Sequence, residues 1–109
     1  MEEEAVTAHD GAGVIRVATL TAQDGRMPAL LRAAQINAQE ARAQPGCLSA
    51  EVGTMPDDAV HLVVVSRWRS MDDLTAFLNW HEGIAHELIS RASFAAPHAV
   101  HYPVAPAER

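Results

Sequence analysis

The sequence predicts an α+β fold of the ferredoxin-like split βαβ type, a four-stranded antiparallel sheet with helices on one face. Three observations lead to this prediction. Strand and helix patterns follow one another in the order β-α-β-β-α-β, and 109 residues leave room for one domain. The run from His61 to Val65 (HLVVV) is apolar on both of the faces between which a strand alternates. Helices can cover one face, so we expect a second copy of the chain to cover the other.

The first half of the chain supplies a strand and a long helix. Residues 14–21 (VIRVATLT) are β-branched and apolar, which favours a strand, and an Asp-Gly turn follows. From Met27 to about Gln44, apolar residues recur at helical spacing, with Pro28 in the first turn, where its missing N–H is not needed. Pro45-Gly46 then predicts a sharp end to this helix.

Two strands and a capped helix come next. Residues 47–52 (CLSAEV) form a short predicted strand, and the longer one covers 59–69. Ser70 is a favourable N-cap, and the aspartates at 72 and 73 lie in the first turn, where the helix dipole favours negative charge. We expect this helix to continue to about Trp80.

The end of the chain contains a second helical stretch and the last strand. Gly83 marks a break, and helical spacing resumes as far as about Arg91. Residues 99–104 (AVHYPV) read as the final strand, and Pro103 places its end at a sheet edge.

Composition limits the classes of protein that the chain can represent. We expect a flexible acidic arm over 1–12, one domain over 13–105 and a tail over 106–109. A formal net charge of −6 without a basic stripe argues against nucleic-acid binding, and the apolar runs are too short to span a membrane. Cys47 is the only cysteine, which excludes an internal disulfide and favours a reducing, cytoplasmic location.

Three segments carry a family resemblance. Residues 45–49 (PGCLS), 63–70 (VVVSRWRS) and 73–78 (DLTAFL) resemble the antibiotic biosynthesis monooxygenase (ABM) superfamily, over roughly residues 14–104. The resemblance implies that 13–105 is a single ABM-like domain and that the protein is a homodimeric α+β barrel. The activities that it implies are cofactor-independent oxidation of aromatic polyketides, and haem binding or degradation.

The cofactor-independent reaction needs an apolar slot, a base and hydrogen-bond donors. A deprotonated phenol or anthrone can pass an electron to O₂ directly, so we predict no cofactor, and no GxGxxG motif is present. We predict Trp68, whose place in the strand the resemblance supports, and His86, an imidazole suited to proton transfer, as the catalytic pair. The predicted substrate-binding residues are Arg16, Val64, Phe77, Trp80 and Tyr102, with Arg16 and Tyr102 steadying an anionic oxygen.

Two alternatives stay open at this point. In haem-degrading relatives a histidine on the helix after the Trp-containing strand ligates iron, and His86 matches that place. Phe77 and Arg16 stand where those haem-degrading relatives have Trp and Asn, so haem degradation is disfavoured, while haem binding stays open. Val64 stands where the polyketide-oxidising relatives often have Asn, so the resemblance does not imply oxygen activation by a side-chain amide at this position. The other alternative is a non-catalytic dimer that binds a small molecule. We predict no metal site, because His98 and His101 fall on opposite faces of a strand.

Overall fold

The computed structural model describes residues 13–106. The predicted arm over 1–12 and residues 107–109 of the predicted tail lie outside the described residues. The elements are β1 (Val14–Thr21), α1 (Met27–Arg42), β2 (Cys47–Thr54), β3 (His61–Trp68), α2 (Met71–Leu78), α3 (Ala85–Ala92) and β4 (His98–Pro103).

The strands form one antiparallel sheet in the order β2-β3-β1-β4. This order, with the helices packed on one face, is the ferredoxin-like arrangement, and the predicted fold class is confirmed. The break predicted at Gly83 separates α2 from α3, and β4, which ends at Pro103, is an edge strand. None of the helices in the described part of the chain is long and apolar enough to cross a membrane.

Element ends differ from the predicted ends by no more than two residues, for local reasons. The strand β3 begins at His61 because Oδ1 of Asp58 accepts the N–H groups of Val60 and His61 and holds them in a turn. The helix α1 ends at Arg42, before Gly46, whose φ of 84° lies in the left-handed region that favours glycine. At the start of α2, the hydroxyl of Ser70 accepts the N–H of Asp73 at 3.1 Å, as predicted for an N-cap.

The two faces of the sheet have different surroundings. Leu62, Val64, Ser66 and Trp68 of β3 point toward the helices and are buried. The intervening side chains point away from the helices, and Val65 is 38% exposed there. The register of the strands places apolar side chains of β1 and β4 beside these outward-facing side chains of β3. We call this surface the open face: Ile15, Val17, Val63, Val65, Val100 and Tyr102.

The core lies between the sheet and α1. Small residues of α1 let this helix approach the strands closely: Ala33, Ala34, Ala38 and Ala41, all buried. Leu30 packs with Leu62 in one cluster, and Trp68 packs with Leu74 in the other. These contacts fix α1 firmly on the sheet.

The substitution Leu30→Ala tests this core. Leu30 is fully buried, so its truncation should lower the free energy of unfolding by about 2–5 kcal/mol through lost burial and a cavity. Urea denaturation measures the change. Leu48→Ala is the matched control, because Leu48 is 59% exposed and its truncation should change the free energy of unfolding little. Equal losses in both variants would contradict this description of the core.

Candidate functional site

A cavity of about 310 Å³ lies between the helix-covered face of the sheet and the helices. Its volume is at the lower end of the range for small-molecule sites. The floor is formed by side chains of β1 and β3: Arg16, Ala18, Leu20 and Val64. The walls come from α2, α3 and the link between them, with Asn37 of α1 and Pro97 completing the cavity.

Arg16 is the one cation of the cavity floor. On the helix-covered face it lies between Ser66 of β3 and His101 of β4. Its Nε is buried and has no hydrogen-bond partner among residues 13–106, and burial lowers the pKa of Arg16. A buried donor without an acceptor is costly, so a ligand oxygen placed against Arg16 would be stabilising.

The titratable residue that pairs with Arg16 on β4, His101, adds no negative charge. Burial, and then the positive charge of Arg16, lower the pKa of His101. Its imidazole is therefore disposed to stay neutral. Glu87 is the carboxylate among the described lining residues, and it is paired with Arg91. The floor of the cavity thus carries a net positive charge that suits an anionic ligand.

Three aromatic rings are stacked beside the cavity. Trp68 and Phe77 have ring centroids 5.3 Å apart, and Phe77 and Trp80 have centroids 6.1 Å apart. Phe77 and Trp80, both predicted to bind substrate, line the cavity. Trp68 does not line it, because it lies behind Phe77 and is fully buried. Its indole N–H donates to the hydroxyl of Ser66 at 2.9 Å, so that donor is already used.

The histidine and tyrosine predicted for the site lie on opposite sides of the sheet. His86, the second residue of α3, lines the cavity and is exposed at its mouth. Tyr102 lies on the open face, 51% exposed, because it pairs with Ile15 rather than with Arg16. Tyr102 and Arg16 therefore do not meet, and of the two residues predicted to steady an anionic oxygen only Arg16 lines the cavity.

Some lining residues were not identified from the sequence. Asn37 continues the buried stripe of α1, four residues from both Ala33 and Ala41, so helical spacing could have marked it as a polar residue facing the core. His81 lies in the link between α2 and α3, where no periodic pattern indicates direction.

The cavity can be tested for its fit to haem. A porphyrin buries an apolar ring and keeps its carboxylates at the opening of a site. Here the ring would lie against Arg16 and leave its buried Nε without an acceptor. A haem placed with its ring against Arg16 is therefore unfavourable, and the haem alternative requires a placement that brings a carboxylate to Arg16. Among residues 13–106, no group of three or more His, Cys, Asp or Glu side chains is placed to hold a metal ion.

Comparison with known families identifies the chain. The sequence profile of the antibiotic biosynthesis monooxygenase family matches residues 13–82, which include β1 to α2 and most of the link to α3. The chain therefore belongs to this family, as the resemblance predicted. No curated protein matches the sequence.

Solved structures share the fold at low sequence identity. SnoaB, a cofactor-independent oxygenase from Streptomyces nogalater solved as a variant, has a TM-score of 0.77 and 14% identity, covering 88% of this chain and 96% of its own. A Pseudomonas aeruginosa protein has a TM-score of 0.75 and 20% identity, with coverages of 87% and 96%. A conserved Methanosarcina mazei protein has a TM-score of 0.76 and 13% identity, with coverages of 91% and 99%. These likenesses establish the fold alone.

The buried hydrogen bond behind Phe77 gives a test of the aromatic stack. Replacing Ser66 by alanine removes the acceptor of the Trp68 indole and leaves a buried donor unsatisfied. We expect the free energy of unfolding to fall by about 1–3 kcal/mol. Chemical denaturation measures this fall, and Ser90→Ala, at an exposed position of α3, is the control. An unchanged stability in Ser66→Ala would show that the indole has another acceptor.

Proposed function

We propose that the protein is a cofactor-independent monooxygenase that oxidises an aromatic, polyketide-like phenol or anthrone with O₂. The observation that carries the proposal is the combination of Arg16 at the floor of the cavity, whose buried Nε has no hydrogen-bond partner among residues 13–106, with an imidazole at the mouth. Family membership supports oxygenase chemistry in general, and the ring-lined walls support an aromatic substrate.

Each part of the cavity has a place in the proposed reaction. The substrate ring lies against Phe77 and Trp80, above the apolar floor at Val64. His86 removes a proton, which leaves an electron-rich anion whose oxygen is stabilised by Arg16. Trp68 supports Phe77 from behind and does not touch the substrate.

The chemistry balances without a cofactor. The anion gives one electron to O₂, and the radical pair combines to a peroxide anion on the ring carbon. Protonated His86 returns its proton to give the hydroperoxide, from which water is then lost. For an anthrone, the CH₂ group becomes C=O; one atom of O₂ enters the product and the other leaves as water. The protein supplies only deprotonation, charge stabilisation and partial exclusion of solvent.

The open face supports a homodimer as the working form. Six apolar side chains lie together on a sheet face that no element of the described chain covers. Val17, Val65 and Val100 are neighbours across three strands at its centre. A second copy would bury this face against its own equivalent, which is the arrangement that the family resemblance implies.

Oxygen uptake tests the proposed reaction. We expect metal-free and flavin-free protein to consume O₂ with an anthrone substrate. His86→Ala should reduce the rate by about 10²–10⁴-fold through loss of the base. Arg16→Met should reduce it by about 10–100-fold, the equivalent of one hydrogen bond to a charged group. An oxygen electrode and product spectra measure both effects.

The control for these variants is Ser90→Ala, because Ser90 is exposed on α3, the helix of His86, and does not line the cavity. Full activity in His86→Ala would contradict the assignment of the base. Saturable binding of the anthrone without oxygen uptake would instead favour the non-catalytic binder. A saturable Soret shift with haemin that is lost in His86→Ala would favour the haem-binding alternative.

The substitution Val65→Asp tests the dimer. A charge at the centre of a buried apolar interface is strongly unfavourable, so we expect the variant to elute as a monomer where the wild-type chain is a dimer. Light scattering after size exclusion measures the mass. Met71→Asp is the control, since Met71 is 45% exposed on α2, away from the open face. Equal masses for Val65→Asp and the wild type would contradict the proposed interface.

A further inference from the structure

The wall at the mouth of the cavity depends on α3, a helix whose N-cap residue makes no side-chain hydrogen bond to its first turn. The link between α2 and α3 carries Trp80, His81 and Gly83, and α3 then carries His86. The residue in the N-cap position of α3 is Ile84, whose side chain has no hydrogen-bond acceptor. The first N–H groups of this helix must therefore find acceptors elsewhere.

Glu40 of α1 supplies these acceptors. Its Oε2 accepts the N–H of Ile84 at 2.8 Å, and its Oε1 accepts the N–H of Ala85 at 3.3 Å. A carboxylate at a helix N-terminus also interacts favourably with the helix dipole. The contact joins α1 to the wall of the cavity across 44 and 45 residues of sequence.

Gly83 makes this contact possible. A Cβ atom at position 83 would lie 2.5 Å from Oε1 of Glu40 and 2.5 Å from Cζ3 of Trp80. The glycine is thus enclosed by the carboxylate and the indole, and its small size, not an unusual φ, is what the position requires. A displacement of Glu40 would remove the surface against which the link and Trp80 are held.

We propose that Glu40 is a positioning residue, a latch that holds Trp80 and His86 at the mouth of the cavity. It is attached to a rigid base, because α1 is fixed to the sheet through Leu30 and its buried alanines. Glu40 does not itself line the cavity, so it acts through the link and α3. Its effect on catalysis rests on the proposed function; its effect on the wall does not.

Two readouts without substrate test the latch. In Glu40→Ala, the amide hydrogens of Ile84 and Ala85 should exchange about 2- to 30-fold faster, the equivalent of a lost N-cap. Acrylamide quenching should increase for Trp80, the half-buried indole, whereas fully buried Trp68 contributes little to quenching. Glu40→Gln, which keeps one acceptor oxygen, should give intermediate values for both.

A second variant and a control keep the result interpretable. Gly83→Ala leaves the glutamate at position 40 in the sequence, but its methyl group should push the Glu40 carboxylate away from the Trp80 indole. We therefore expect this variant to show the same faster amide exchange and stronger quenching as Glu40→Ala. Glu82→Gln makes the same chemical change as Glu40→Gln within the link, at an exposed side chain, and should match the wild type.

The outcomes separate this proposal from the proposed function. Unchanged exchange and quenching in folded Glu40→Ala would overturn the latch, whatever the activity. If the wild type consumes oxygen, Glu40→Ala should lower kcat more than it raises KM, because the base is misplaced while Arg16 and the floor remain. A change in KM alone would overturn the positioning of His86. Absence of oxygen uptake in the wild type would count against the proposed function only.

Discussion

The antiparallel pairing of β1 with β3 is the constraint on which the other features depend. Because side chains alternate along both strands, one register assigns Arg16 and Val64 to the helix-covered face and Val17 and Val65 to the open face. The first pair forms the floor of the cavity, and the second forms the centre of the proposed dimer interface. A shift of the strand register by one residue would exchange the two faces. It would place the guanidinium of Arg16 in the interface and valine side chains in the cavity.

The same alternation explains why the cavity carries an uncompensated charge. Its floor is otherwise apolar, and Arg16 has no hydrogen-bond partner for Nε among the described residues. Burial of such a group lowers stability unless a ligand provides the acceptor. In the proposed reaction the anionic substrate supplies that acceptor at the step where its own charge develops, so Arg16 would contribute to the reaction rather than to folding.

Local patterns predicted the elements well, whereas contacts between distant elements were not predictable. The β-branched run at 14–21, the cap at Ser70 and the break at Gly83 all depend on neighbouring residues, and each is present. The sequence could not show that Tyr102 faces away from Arg16, because this depends on the register of β4. Nor could it show that Glu40 meets the start of α3. Trp68 was predicted to act with His86 in the catalytic pair; its burial behind Phe77 follows from the position of α2.

The most direct test of the central claim is a single-turnover reaction under ¹⁸O₂ with an anthrone, using protein shown by elemental analysis and absorbance to hold no metal or flavin. Mass spectrometry of the product measures the origin of the new carbonyl oxygen. We predict one ¹⁸O atom per quinone, formed at a rate well above that without protein. Quinone without ¹⁸O, or formed no faster than in buffer, would contradict the claim that this cavity activates its substrate toward O₂.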